Sequence, residues 1–233
     1  VWATIPPDSN YFDEEYTAQF DFNIKKAVDA VHGKSPYFAD VSQYTLGYIL
    51  GREWEPYLVH ANDKLNHDIT SFEGTFFSIP HGTPTEVWLT QRMEFLMAYE
   101  TITYGTQRPV SFINWLPLDP LYHNTEFIES PRVREYDNDL VSVDFTHIYR
   151  TPWNRAGFFA AYNVYPYYPD FINHEYNDYR SRFGPDNFAG YIHVLKDIHQ
   201  GIPLFIAEFG VPSSRGIAHF NPYGMHHGGH TEE

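Results

Sequence analysis

Pro203-Leu204-Phe205-Ile206-Ala207-Glu208-Phe209-Gly210 is the stretch on which the fold turns. An unbroken apolar run, short enough for one strand, passes directly into a carboxylate and then a glycine. Runs of this kind belong to parallel strands covered on both faces, and a carboxylate at the mouth of one is costly unless it is used or paired. Working outward, the same pattern returns. Thr45-Leu46-Gly47-Tyr48-Ile49-Leu50 is another apolar run, and Gly51-Arg52-Glu53-Trp54-Glu55-Pro56 follows it. Val1-Trp2-Ala3-Thr4, Pro109 to Ile113 and Phe158 to Tyr162 read as further strands. Between them lie helical patterns. Residues 18–32 set Phe20, Ile24, Ala27, Val28 and Val31 on one face, with Gly33 behind them as a stop. Thr83-Pro84-Thr85-Glu86 combines a capping box with Pro at the first helical position, and opens a helix carrying Trp88, Phe95, Tyr99 and Ile102 as far as Gly105. Residues 185–200 align Phe188, Tyr191, Ile192, Leu195 and Ile198, and Gly201 ends them. Long loops are expected over 57–82 and 115–156.

Strand and helix in alternation predict an α/β fold, either doubly wound or an eight-stranded barrel. The chain has no G-x-G-x-x-G or G-x-x-x-x-G-K turn of a nucleotide-binding sheet. The reading is therefore a partial (β/α)8 barrel occupying 1–233 as one domain, with about five of the eight strands present. In such a barrel the active site lies at the C-terminal ends of the strands.

Composition narrows the partner class. Fifteen Lys+Arg against 30 Asp+Glu give a formal charge of −15, the wrong sign for nucleic acid or an anionic membrane surface. No apolar run approaches the roughly 20 residues of a membrane-spanning helix. The absence of cysteine removes disulfides, thiolate zinc sites and cysteine nucleophiles together. Aromatic residues reach 18%, a composition suited to a cleft that grips flat, half-polar molecules, although much of it must also be core. No cofactor is implied.

Glu53 and Glu208 each follow an apolar strand, and two carboxylates meeting across a cleft are the minimum equipment for glycoside hydrolysis. At these residues the sequence resembles the clan A glycoside hydrolases, which include families 2 and 5. Leu50-Gly51-Arg52-Glu53 is similar to the clan's strand-4 Leu-Gly-Asn-Glu, whose Glu is the general acid/base. The 203–210 stretch is similar to its strand-7 pattern, whose Glu is the nucleophile. Asn163-Val164-Tyr165 resembles the strand-6 Asn-x-Tyr of family 2, in which the tyrosine contacts the nucleophile. The resemblance implies a retaining O-glycosyl hydrolase acting on a β-linked saccharide, with Glu53 as acid/base, Glu208 as nucleophile and Tyr165 in support. It makes residues 1–4 strand 3 and Asn114-Trp115 the end of strand 5, with strands 1, 2 and 8 outside the chain. Arg52 stands where the clan has Asn. A guanidinium donates but cannot accept, and its charge lowers a neighbouring carboxyl's pKa, so it must point away, pair with an acid or meet an anionic sugar.

Around the two carboxylates, Trp54, Trp115 and Trp153 are expected to stack on sugar faces, and Arg52, Asn114 and Asn163 to contact substrate; Asp119 and His123 follow strand 5 and are expected near the cleft. Glu55, which precedes Pro56, is the rival of Glu53. One alternative is a carbohydrate-binding barrel without catalysis. Another is a metal-dependent hydrolase using His219, His226, His227 and His230, although none of the 13 histidines has the His-x-His spacing usual in such barrels.

Overall fold

The computed structural model describes residues 2–3, 8–34, 39–123, 139–166, 168–220 and 226–229. Its centre is a five-stranded parallel sheet formed by β1 (Trp2–Ala3), β2 (Tyr48–Leu50), β3 (Val110–Trp115), β4 (Ala160–Asn163) and β5 (Leu204–Glu208). The strands lie side by side in sequence order, every neighbouring pair parallel. A doubly wound sheet reverses its order at a switch point, and this one does not. Among the described residues β1 and β5 remain edges, so the sheet is open and no barrel closes. Val1 and Thr4 of the expected first strand lie outside the described residues.

The longer helices are α1 (Glu14–Val31), α2 (Pro56–Leu65), α3 (Pro84–Tyr104) and α4 (Asn187–Ile198), and a single helical turn, Ile172–Glu175, lies between β4 and β5. Helix α1 begins four residues before the apolar pattern because the Asp13 side chain accepts from the Tyr16 N–H and the acids Glu14 and Glu15 suit a helix N-terminus. The capping box of α3 forms in both directions, Glu86 N–H to Thr83 Oγ1 and Thr83 N–H to Glu86 Oε2. Its buried stripe runs through Trp88, Met93, Leu96 and Met97 to Glu100, leaving Ile102 out in solvent. Glu100 is tolerated inside because it accepts from the Tyr48 hydroxyl and from Arg108, with His32 beside it, and so ties α3 to β2 and to the end of α1.

The expected loop at 57–82 contains α2 and two short antiparallel strands, Phe72–Glu73 and Phe77–Ile79; Tyr149–Arg150, from the other expected loop, pairs with the second. Helix α2 is hard to see in sequence because its buried face holds only Pro56, Val59 and Asn62. Asn62 belongs there, since its side chain accepts from the Tyr11 N–H and donates to Thr85 Oγ1.

Side chains alternate across a strand, and here the two faces differ sharply. Tyr48 and Tyr162 point to the helices, where they reach Glu100 and His199. Ile49, Phe159, Phe205 and Ala207 face the other way and line an apolar trough of about 720 Å³, to which none of the α-helices among the described residues contributes a lining side chain. Phe205 is half exposed there.

Candidate active site

Three loops leave the C-terminal end of the sheet at neighbouring places. After β2, Gly51 takes φ +77, a conformation that costs a side-chain-bearing residue about 1–2 kcal/mol. A Cβ there would lie 2.1 Å from Trp54 Cζ2. Gly51 thus lets Trp54 fold back beneath the turn while Glu53 remains at the mouth. In β5 a bulge at Ala207 breaks the register: Ile206 pairs with Tyr162, but Glu208 pairs with Asn163. Simple alternation would send Glu208 to the helix side with Ile206. The extra residue turns it onto the face of Asn163, which is what bulges beside functional sites do.

Asn163 ends β4, and Tyr165 lies two residues farther on. Asn163 Nδ2 donates to Glu53 Oε1 at 3.0 Å, and the Tyr165 hydroxyl donates to Glu208 Oε2 at 2.5 Å. One segment of chain therefore holds both carboxylates. Glu53 follows β2 and Asn163 ends β4, so the first bond spans two strand spacings, roughly 9.6 Å, and both side chains lean toward each other over β3. Trp115, the last residue of β3, is in register with Asn163 and donates its indole N–H to the Trp54 carbonyl at 2.8 Å.

The electrostatics separate acid from structure. Glu53 is open to solvent as a whole, yet its carboxyl is crowded by protein, which raises its pKa above the ordinary carboxylate value. The Glu208 charge adds to the rise; Asn163 and Arg52 oppose it without cancelling it. Arg52 is exposed and makes no ion pair among the described residues. The Tyr165 phenol is held in its protonated form by burial first, then by its bond to Glu208 and the charges of Glu208 and Glu53.

The site thus gathers Glu53, Glu208, Tyr165, Asn163 and Trp115 with Arg52 at its margin, and the expectations for Trp54, Asn114, Trp153, Asp119 and His123 require correction. Trp54 is buried in an aromatic cluster with Tyr11, Phe20 and Trp88, at ring separations of 5.3, 6.3 and 5.9 Å, and offers no face to a ligand. Asn114 shares the helix-facing side with Tyr162, where its amide donates to the Leu118 and Val143 carbonyls. Trp153 is exposed at the opposite end of the sheet, its carbonyl bound by Gln107 just before β3 begins.

Asp119 and His123 do not line the mouth either. His123 is buried between Glu175, 2.7 Å from Nδ1, and Asp119, 3.2 Å from Nε2, with Phe171 stacked on its ring and Tyr191 donating to Asp119. This network pins the loop after β3 to the loop after β4. Glu55 is the N-cap of α2 and leads away from the mouth. Of the C-terminal histidines, His219 is bonded to Asp170 and His226 stacks on Phe220. His230 lies outside the described residues. Among the described residues no cluster of three or more His, Asp or Glu is arranged to hold a metal ion.

The sequence reading put Asn163 on substrate and missed its hydrogen bond to Glu53. The signal was available in the two-residue interval between Asn163 and Tyr165, which sets both side chains toward one side. No helix among the described residues is long and apolar enough to cross a membrane. The chain matches no protein-family model, no curated protein and no solved structure.

Proposed function

We propose that the chain is the catalytic part of a retaining glycoside hydrolase acting on a β-linked saccharide or glycoside, and that its sheet belongs to a (β/α)8 barrel. The barrel reading is supported by five parallel strands in sequence order, helices on one face, and an apolar trough on the other where barrel-core side chains stand uncovered. The observation that carries the functional reading is the pairing of Asn163 with Glu53 and of Tyr165 with Glu208 at the C-terminal mouth.

In the proposed reaction the Glu208 carboxylate attacks the anomeric carbon while protonated Glu53 gives its proton to the departing oxygen. The raised pKa of Glu53 favours this role, because a general acid must hold its proton near neutral pH. Glu53, now ionised, takes a proton from water; the hydroxide equivalent displaces Glu208 from the sugar, and the anomeric configuration is retained. Tyr165 donates to Glu208 in the free enzyme and fixes the attacking oxygen. The register of Trp115 with Asn163 supports a role for its ring in stacking on a sugar face.

The test is turnover of aryl β-glycosides by the full-length protein beside Glu53→Gln and Glu208→Gln. Wild type should hydrolyse them with retention, Glu208→Gln should be inert, and Glu53→Gln should lose most on leaving groups that need a proton. An inert wild type that still binds oligosaccharide would replace this reading with a carbohydrate-binding barrel.

A further inference from the structure

We propose that Asn163 is a positioning residue that holds the Glu53 carboxyl in both of its protonation states, its side-chain amide turning over to follow the proton. The inference rests on the two-glutamate reading for its purpose, since Glu53 must act first as an acid and then as a base, but its geometry stands apart from that reading.

Asn163 is 3% exposed. Its Nδ2 is engaged by Glu53, while its Oδ1 is buried with no hydrogen-bond partner among the described residues. An orphaned buried carbonyl is uncommon in native structures and calls for a reason. Here it means that no described group anchors the far end of the amide. Its orientation is set by Glu53 alone.

An amide presents a donor and an acceptor at nearly equivalent positions, related by a half-turn of its terminal torsion. A carboxylate only accepts, so ionised Glu53 selects the orientation seen here. A carboxylic acid also donates, and protonated Glu53 selects the reverse, with its O–H directed to Oδ1. The turn exchanges one buried orphan atom for another and breaks no other hydrogen bond. Four described groups act on Glu53: Arg52, Asn163, Tyr165 and Glu208. Arg52 can only donate, Glu208 carries the same charge when ionised, and the Tyr165 hydroxyl is committed to Glu208. Asn163 is the group among them seen bonded to Glu53, and its amide can serve either form.

The strand geometry explains why this must be Asn163. Glu53 sits on a loop three residues past β2, whereas Asn163 is the last residue of β4, fixed by pairing on both sides with Trp115 and Glu208. A carboxyl carried on a loop is thereby referenced to a paired strand, the condition a preorganised site requires.

Side-chain amide NMR of uniformly 15N-labelled protein tests this, with the Asn163 resonances assigned by their loss in Asn163→Leu. In wild type they should move with pH along one titration curve whose midpoint matches that of the Glu53 carboxyl followed by 13C, and in Glu53→Gln they should be flat. Asn163 resonances that ignore pH in wild type, or that still titrate in Glu53→Gln, overturn the proposal. In the active enzyme, Asn163→Leu should slow both glycosylation and deglycosylation by roughly ten- to a hundredfold, as expected from loss of a hydrogen bond to a charged group. A loss confined to one half-reaction also overturns it. Should wild type turn over no glycoside, the hydrolase reading fails while the amide titration still decides the role of Asn163.

Discussion

Gly51→Ala perturbs the hinge that lets Glu53 face outward and Trp54 face inward, and its cost can be worked from the structure. The backbone at this position has φ +77, so an alanine pays about 1–2 kcal/mol in steric strain. The added methyl would sit 2.1 Å from Trp54 Cζ2 and 2.7 Å from Cε2. These ring atoms belong to a buried side chain enclosed by Tyr11, Phe20 and Trp88, so the ring cannot swing clear as an exposed chain end would. Overpacking of this sort adds about 1–3 kcal/mol. The sum is about 2–5 kcal/mol, a large fraction of the roughly 5–15 kcal/mol by which domains are stable. Urea denaturation followed by circular dichroism measures it. The double variant Gly51→Ala/Trp54→Leu should recover part of the loss, because the smaller side chain makes room, and the two substitutions should be non-additive. A Gly51→Ala loss below about 0.5 kcal/mol, the scale of an ordinary surface change, or full additivity with Trp54→Leu, would refute the hinge argument.

Tyr165→Phe removes the hydroxyl that donates to Glu208, and kcat should fall roughly ten- to a hundredfold with the circular dichroism spectrum unchanged; an undiminished kcat would leave Tyr165 with a packing role only. Burial works against protonation of His123, but Asp119 and Glu175 on its two nitrogens outweigh it and raise its pKa. With the folded-state value raised, the imidazolium contributes stability in full below the ordinary histidine value of about 6.5 and loses that contribution as pH rises through the folded-state value. Urea midpoints should therefore decline as pH rises above the ordinary histidine value in wild type and decline less in His123→Gln; equal declines would show that this network does not set the pH dependence. Trp115→Ala should raise KM or weaken oligosaccharide binding severalfold, whereas Trp153→Ala, at the far end of the sheet, should match wild type; the reverse pattern would place the sugar at the wrong end.

What could be read from the sequence was the rhythm of the chain. Apolar runs located the inner strands, and residues at their ends located Glu53 and Glu208, because a parallel sheet needs continuous burial and its loops gather at one end. Thr83 and Glu86 announced α3 because a capping box is a local device. Trp54 was misread because a single left-handed glycine reverses the direction of the side chains that follow it. Asn114 and Trp115 are adjacent, yet only strand alternation decides which one faces the helices, and the expected strand end did not fix that phase. The bulge at Ala207, on which the aim of Glu208 depends, is a property of pairing between β4 and β5 and leaves no mark on β5 alone. Trp153 failed for a similar reason: its loop returns to the start of β3, and loop course is decided by contacts such as Gln107 with its carbonyl.

The central claim is that Glu53 and Glu208 share one mouth closely enough for each to feel the other's charge. A 13C titration of the Glu53 carboxyl in wild type and in Glu208→Gln tests it most directly, without requiring turnover. Neutralising Glu208 removes one of the two influences that raise the Glu53 pKa, so the midpoint should move down in the variant. A midpoint that stays where it was in wild type would mean that the two carboxylates do not meet, and the two-glutamate site would be lost with it.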